Sequence, residues 1–192
     1  MRNEMKHCVS GKLPAGITDK NVEFFAQGDN VFAIMEAQMH PIQSWPEWLL
    51  QAVEEDIAKH PDALDSLVDA DIVGRLEMIE QYVKCRYSVL DNTPDMINGQ
   101  LQPTEYTTCN LRGSCPYEGR LCELLKAPHG TLTHREIAVL KLIPEGLLDK
   151  EIAERLGISP LTVGVYMRNL REKIGANNKA SLVRFALQKR LI

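Results

Sequence analysis

The stretch ISPLTVGVYMRNLREKIG, residues 158–175, decides how the last third of the chain folds. Ser159 is of a type that caps helix N-termini, and Pro160 suits the first helical position, where its missing N–H has no intrahelical partner to lose. Apolar residues then recur at steps of four, three and four, as one buried helix face requires: Val163, Met167, Leu170 and Ile174. The stretch therefore predicts an amphipathic helix that begins after Ser159.

A shorter helix pattern precedes that stretch. DKEIAERLG, residues 149–157, predicts a short helix with Asp149 as its N-cap and Gly157 just past its end. Two helices joined by a short turn, the second amphipathic and basic at its outer end, predict a helix-turn-helix. The alternative from the pattern alone is a small helical bundle with a solvated basic face.

Two further helices flank this pair. LTHREIAVLKLI, residues 132–143, places Thr133 three residues before Glu136, which is a capping-box pattern. Pro144 then ends or bends that helix. A fourth helix is predicted over roughly Lys179 to Gln188, and its inward side chains are Leu182, Phe185 and Ala186.

The residues from Leu132 to Ile192 resemble the LuxR/GerE-type DNA-binding domain. The likeness runs without gaps through LTHRE, GLLDKEIAERLGISPLTVGVYMRNLREKIG and NNKASLVRFALQKRLI. It implies a four-helix domain whose third helix enters the major groove of double-stranded DNA and whose fourth often pairs with a second copy. The expected protein is then a bacterial or phage-like transcription regulator that works as a homodimer and catalyses no reaction.

With the apolar face of the third helix turned inward, its outer stripe is formed by Leu161, Gly164, Val165, Arg168 and Glu172. In the family that the sequence resembles, the positions matching Gly164, Val165 and Arg168 are the usual base readers, and those matching Lys150, Thr162 and Tyr166 lie close to phosphates. Contacts to the DNA backbone are expected from Lys150, Tyr166, Arg171, Lys173 and Lys179. The predicted DNA-binding residues are Lys150, Ser159, Leu161, Thr162, Gly164, Val165, Tyr166, Arg168, Arg171, Lys173 and Lys179.

Three positions depart from the common family pattern. A lysine is frequent where Leu161 stands, a basic or polar residue where Gly164 stands, and histidine where Tyr166 stands. Arg168 is the one outer residue whose guanidinium can hold guanine O6 and N7, and Val165 offers only apolar contact. We therefore expect few direct base contacts and more reliance on phosphates, DNA shape or dimer spacing.

The charge divides unevenly along the chain. Residues 130–192 hold 11 Lys and Arg against 6 Asp and Glu, a net of +5, whereas residues 1–129 carry a net of −9. The basic segment can meet a polyanion, and the acidic part is suited to a protein partner instead. No apolar run is long enough to span a bilayer and no secretory signal is recognised, so we expect a cytoplasmic protein without membrane contact.

The first 108 residues predict an acidic, helical domain, which makes the whole chain mainly α. Its clearest helices are PEWLLQAVEEDIAKH (46–60), with Ser44 as N-cap, and DADIVGRLEMIEQYVKCRY (69–87). Inward positions at helical steps in the second are Ile72, Leu76, Ile79 and Val83. The runs ITDKNVEFFAQG (17–28) and VFAIMEAQMH (31–40) are interpreted as short helices, although the second is also compatible with a strand.

The stretch CNLRGSCPYEGRLC, residues 109–122, holds three of the 5 cysteines and opens a connector over residues 109–130, ahead of the domain at 131–192. The cysteine gaps of five and six residues are looser than a usual zinc box. The glycines and the proline allow tight turns, and Arg112 and Arg120 are expected to favour thiolates.

A tetrahedral site needs a fourth ligand. Cys85 is the first choice, with Cys8 or His129 behind it, so that the predicted metal ligands are Cys85, Cys109, Cys115 and Cys122. Zinc is the default because it folds loop-rich segments that lack a core. An iron–sulfur cluster is the alternative, since the spacing is similar to three-cysteine ligation in some bacterial winged-helix regulators. Without a metal, the thiols are small buried hydrophobes.

Two functions remain open. The first is a sequence-specific, dimeric transcription regulator with a cysteine-rich metal clasp or sensor. The second is a metal- or redox-sensing protein-interaction module in which the helix-turn-helix is accessory. An enzyme is not expected, because the sequence has no Gly-rich phosphate loop, no H-E-x-x-H and no serine elbow.

Overall fold

The computed structural model describes residues 13–104, 106–189 and 191–192. The α-helices in these ranges are α1 (Glu47–Lys59), α2 (Pro61–Asp69), α3 (Arg75–Arg86), α4 (His134–Leu142), α5 (Asp149–Leu156), α6 (Pro160–Ile174) and α7 (Lys179–Gln188). The strands are β1 (Glu23–Gln27), β2 (Asn30–Met35), β3 (Gln38–Pro41), β4 (Met96–Ile97), β5 (Gln100–Leu101), β6 (Lys126–Ala127) and β7 (Gly130–Thr131). Short 3₁₀ turns cover Ile42–Ser44 and Ile143–Glu145. The fold is therefore mainly helical, as the sequence predicts.

The helix predicted over residues 17–28 is wrong, and residues 31–40 form strands, the alternative that their sequence also allowed. This region forms an antiparallel sheet in the order β1-β2-β3, with Glu23 opposite Ile34 and Phe32 opposite Pro41. The periodicity of a short apolar run is not enough to distinguish a strand from a helix. The turns between these runs therefore determine which of the two structures forms. The β2–β3 turn is a two-residue connection, Glu36–Ala37, with φ angles of 53° and 61°, and such left-handed turns pair adjacent strands.

The two longer N-terminal helices form close to where the sequence places them, with corrected starts. Ser44 does not cap α1, because its hydroxyl donates to the Pro41 carbonyl at 2.9 Å and the helix begins after Pro46. The predicted helix over 69–87 begins only at Arg75, so Ile72 lies outside it. Of the inward positions, Ile79 and Val83 are fully buried but Leu76 is 40% exposed.

Buried side chains in the described residues form two cores. The first collects apolar residues of the sheet and of α1–α3 together with Met96 and Leu121. The second begins at Leu125 and continues through α4–α7 to Leu191. The chain thus passes from one core to the other immediately after Cys122, the last cysteine of the connector.

The C-terminal helices follow their predicted patterns closely. The Thr133 hydroxyl accepts from the Glu136 N–H at 3.3 Å while the Glu136 carboxylate accepts from the Thr133 N–H at 2.8 Å, which confirms the capping box. Asp149 is not the N-cap of α5 but its first helical residue, and Glu151 accepts the N–H of Leu148 at 2.6 Å. Among the described residues, no helix combines the length and the apolar character needed to cross a membrane.

Candidate functional site

A tight turn joins α5 to α6. Gly157 ends α5 with a φ of 64°, a conformation that glycine adopts without the steric cost of a Cβ. The next residue, Ile158, donates its N–H to the Ala153 carbonyl at 3.0 Å. Ser159 then caps α6 by accepting the N–H of Thr162 at 3.0 Å, as its residue type predicts. The start of α6 is therefore fixed relative to α5 by backbone and capping hydrogen bonds.

The inner face of α6 is buried, as predicted: Val163, Met167, Leu170 and Ile174 all belong to the second core. The opposite stripe, comprising Leu161, Gly164, Val165, Arg168 and Glu172, is exposed along its whole length. Leu161 is 81% exposed at the beginning of the helix. Arg168 takes part in no ion pair formed within the described part of the chain, so its guanidinium is available to a ligand.

Gly164 leaves a bare position in the middle of this outer stripe. A Cβ added there would meet no atom within 4 Å. The glycine is thus not required by packing inside the domain, and the helix surface at this point consists of backbone alone. Any ligand that lies along α6 can approach that backbone closely.

The predicted phosphate-binding residues differ in how free they are. Lys150, at the second position of α5, and Arg171 are exposed, whereas Tyr166 packs partly against the second core. Lys179 pairs with Asp149 at 3.2 Å on the surface. The Lys173 ammonium donates to the Glu136 carboxylate at 2.8 Å and to the Thr131 carbonyl at 2.9 Å, so it is already bound within its own domain.

The Glu136 carboxyl that receives Lys173 is almost completely buried. Burial raises the pKa of Glu136, but the hydrogen bonds from Lys173 and from the Thr133 backbone outweigh it, and the pKa lies below its ordinary value of 4.5. The ionised carboxylate therefore joins the start of α4 to the last turn of α6. This tie orients the exposed stripe of α6 relative to the rest of the domain.

The four predicted metal ligands lie close together. Cys85 is near the end of α3, and its thiol interacts electrostatically with those of Cys109, Cys115 and Cys122. All four are free thiols. Among the described residues, however, no group of three or more His, Cys, Asp or Glu side chains is arranged to hold a metal ion.

The alternative fourth ligands are placed elsewhere or not described. The His129 ring would lie 3.1 Å from a Cβ at Gly175, beside the end of α6. Cys8 lies outside the described residues.

Arg112 favours the thiolate of Cys122, as expected, but burial has the larger effect on this cysteine and on Cys85. Burial raises the pKa of Cys85 to about 11. Burial also raises the pKa of Cys122, and the opposing effect of Arg112 is smaller. Arg120 instead pairs with Asp69 at 3.2 Å. In the absence of a ligand, these two sulfurs are therefore protonated at neutral pH.

Arg112 has a structural role that the sequence did not indicate. Its guanidinium is buried, donates to the carbonyls of Thr107 at 2.9 Å and Glu123 at 2.6 Å, and pairs with Glu118 at 3.3 Å. Glu118 in turn accepts the N–H of Gly113 at 2.8 Å. An irregular loop has no helical or strand periodicity in its sequence. Only its content of glycine and proline therefore indicates that the stretch contains tight turns.

A short helix, a glycine turn and a second helix with a buried inner face and an exposed outer face define a helix-turn-helix protein. Residues 130–186 match the family described as bacterial regulatory proteins, luxR family. The C-terminal part of the chain is therefore a LuxR-type helix-turn-helix domain, as its sequence predicts.

The curated relatives share this part of the chain. Oxygen regulatory protein NreC of Staphylococcus aureus, in strains JH9, JH1 and USA300, is 40% identical over 65 residues. The match covers 34% of this chain and 30% of the length of each of these relatives. No solved structure matches.

Proposed function

We propose that the protein is a sequence-specific, DNA-binding transcription regulator that places α6 in the major groove of double-stranded DNA. The observation that carries the proposal is the exposed outer stripe of α6 on a LuxR-type domain whose inner face is fully used by the core. A helix of this kind fits the major groove and presents the side chains near its start to base edges.

Arg168 is assigned the main base contact, with guanine as the preferred partner, because its planar guanidinium matches O6 and N7. Val165 and Leu161 are apolar and exposed, and they suit contact with a thymine methyl group. Lys150 and Arg171 are assigned to phosphates, which orient the domain without reading sequence. Lys173 is given no role at the DNA because its ammonium is bound by Glu136.

The regulator is proposed to act as a homodimer through α7. Leu187 is 58% exposed on α7, so this helix presents an apolar side chain that a second copy can cover. A two-fold dimer would read two half-sites about one helical turn apart. The acidic N-terminal half is then free to meet a protein partner.

A second function, regulation through a metal or the redox state of the cysteines, is favoured by the convergence of four free thiols beside the DNA-binding domain. In this alternative the helix-turn-helix is accessory to a sensing or protein-interaction module, with zinc or an iron–sulfur cluster at the cysteines.

Selection of bound fragments from a random DNA pool, at a stated salt concentration, tests the first function. We expect an enriched motif with two half-sites, and affinity that falls steeply as salt rises. A chain that lacks residues 131–192 is the control and should enrich nothing. If the full chain, like the control, enriched no DNA sequence, the proposal of a sequence-specific regulator would be ruled out.

A further inference from the structure

The cysteine cluster, Cys85 with Cys109, Cys115 and Cys122, is held together by hydrogen bonds from side chains to backbone carbonyls. Thr107, two residues before Cys109, donates its hydroxyl to the Cys85 carbonyl at 2.8 Å. The neighbour of Cys85, Arg86, donates to the carbonyl of Leu121 at 3.3 Å, next to Cys122. Both ends of the loop that carries three cysteines are thereby held against the end of α3.

Within the loop, successive tight turns bring Cys115 back toward the same place. The Arg112 N–H donates to the Cys109 carbonyl at 3.1 Å, and the Cys115 N–H donates to the Leu111 carbonyl at 2.9 Å. Gly113 and Gly119 have φ angles of 87° and 86°, which residues with a Cβ rarely adopt. The two glycines therefore allow the tight turns that the loop makes between its cysteines.

Zinc and an iron–sulfur cluster place the four sulfurs of their cysteine ligands differently. Zinc bound by four cysteines draws all four sulfurs to within about 2.3 Å of one point. Among the described residues no group of three or more such ligands is already placed to hold a metal ion, and the Cys85 thiol interacts electrostatically with the other three thiols. A ligand with several metal atoms suits such a cluster, because each sulfur then bonds to a metal atom at a different position.

We propose that Cys85, Cys109, Cys115 and Cys122 bind one iron–sulfur cluster through four thiolates. Four cysteines are the ligand set of both the [2Fe–2S] and the [4Fe–4S] clusters. Each thiol releases its proton when its sulfur bonds to iron. The ligands come from two distant parts of the chain, so the cluster would fasten the cysteine loop to α3.

Hydrogen-bond donors already surround the sulfurs. The Leu111 N–H donates to the Cys109 sulfur at 3.4 Å, and the Gln81 side-chain amide donates to the Cys85 sulfur at 3.1 Å. The Gly119 N–H donates to the Cys122 carbonyl at 3.0 Å and also lowers the pKa of the Cys122 thiol. Donors to sulfur stabilise thiolate ligands and tune the potential of iron–sulfur clusters. The buried guanidinium of Arg112 lowers the pKa of Cys122, and its partner Glu118 opposes that effect.

Anaerobic purification of the full chain from iron-supplied cells tests the site by its metal content. We expect a brown protein with about two or four irons and an equal amount of acid-labile sulfide per chain. One zinc per chain, iron without sulfide, or a protein free of metal would each overturn the proposal.

Single cysteine-to-serine variants test the ligand set. Each of C85S, C109S, C115S and C122S should lose most of the iron and sulfide, and C8S, the remaining cysteine, should keep them. Cys109 is exposed, so C109S should fold normally even if the variant at Cys85 does not. Full retention of iron and sulfide in C109S and C115S would contradict the assignment. The measurement involves no DNA, so its failure and the failure of the proposed DNA-binding function can be told apart.

Discussion

Arg168 is the residue on which sequence discrimination is expected to depend. Its side chain is exposed on the outer stripe of α6, outside the buried set that holds the helix in place. Removal of the guanidinium should therefore leave the fold intact. In the variant R168A, discrimination at one base position should fall by about 1–3 kcal/mol because a bidentate contact is lost.

Binding titrations against the selected site and its single-base variants measure this effect. R135A is the matched control, since Arg135 is also an exposed arginine but belongs to α4 and not to the outer stripe of α6. The control should keep the preference at every position. Equal weakening of R168A on all DNA sequences would show that Arg168 contacts phosphate and not a base.

Replacement of Gly164 by alanine should change the free energy of unfolding. Glycine in an exposed helix interior is less favourable than alanine by about 0.8–1.0 kcal/mol, and a Cβ at this position would meet nothing within 4 Å. G164A should therefore raise the free energy of unfolding by about 0.5–1 kcal/mol in urea titrations. The control is G157A, because Gly157 has equally open surroundings but a φ of 64°. That variant should be destabilised, and a stabilising effect of the same size in both would contradict the argument.

A helix or strand can be predicted from this sequence where it is long and where residues typical of its two ends flank it. Four features of the sequence all predict α6 as a helix: a capping serine, a first-turn proline, fifteen residues with one apolar period and a terminal glycine. Few alternative structures are compatible with all four. The five-residue strand β1 offers no such redundancy. Its buried residues are consecutive, because both faces of the sheet are covered near Phe24 and Phe25, and the run fits a helix turn equally well.

The contact between α4 and α6 was beyond the reach of sequence patterns. Glu136 was recognised as a capping residue from its spacing to Thr133, but its partner Lys173 lies 37 residues away. Local periodicity contains no information on such a pair. As a result, Lys173 was predicted as a phosphate contact, although its ammonium is held by the carboxylate in the domain.

Replacement of Glu136 by glutamine should show a defined pH dependence. The folded-state pKa of Glu136 lies below 4.5, so ionisation stabilises the folded domain above about pH 4.5 and the contribution is lost as pH falls through the folded-state pKa. At pH 7, E136Q should lose about 1.5–3 kcal/mol, the range for hydrogen bonds to charged groups. The difference from the unchanged protein should disappear in acid.

Urea unfolding at a series of pH values measures this difference. E151Q serves as the control because Glu151 also accepts a helix-start N–H, from Leu148, but is exposed. Its effect should be smaller. A penalty for E136Q that stayed constant from pH 7 to pH 3 would show that the charge of Glu136 is not the stabilising element.

For the whole molecule, the cysteine loop is the joint between the two cores. Its outer surface meets α4 at Gly113, where an added Cβ would stand 2.7 Å from the Ala138 nitrogen, and Lys141 donates to the Arg112 carbonyl at 3.3 Å. From the sequence, Cys85 is predicted to lie near the loop only because a tetrahedral metal site needs a fourth ligand. The sequence contains no sign of the Arg112–Glu118 pair, because buried ion pairs in irregular loops follow no period.

A methyl group added at Gly113 should weaken the packing of the cysteine loop against α4. G113A should destabilise the protein by about 1–2 kcal/mol for the left-handed backbone, with a further 1–3 kcal/mol for the collision with Ala138. G99A is the matched control, because Gly99 has a similar φ of 77° but nothing within 4 Å of an added Cβ. Thermal unfolding of both variants should place G113A well below G99A, and equal melting temperatures would mean that α4 moves aside freely.

The extent of the DNA-binding unit yields the final prediction. From the turn residues, the sequence predicts that the DNA-binding unit begins at residue 131, which lies inside the β6–β7 hairpin. The second core, however, already includes Leu125. This leucine is 1% exposed, and its carbonyl accepts the Leu132 N–H at 2.9 Å. Burial of one leucine contributes about 1.5–3 kcal/mol. A fragment of residues 123–192 should therefore be more stable than residues 131–192 by at least about 1.5 kcal/mol in urea. Adding L125A to the longer fragment should remove most of that gain, because Leu125 supplies it. Equal stability of the two fragments would place Leu125 outside the unit that folds.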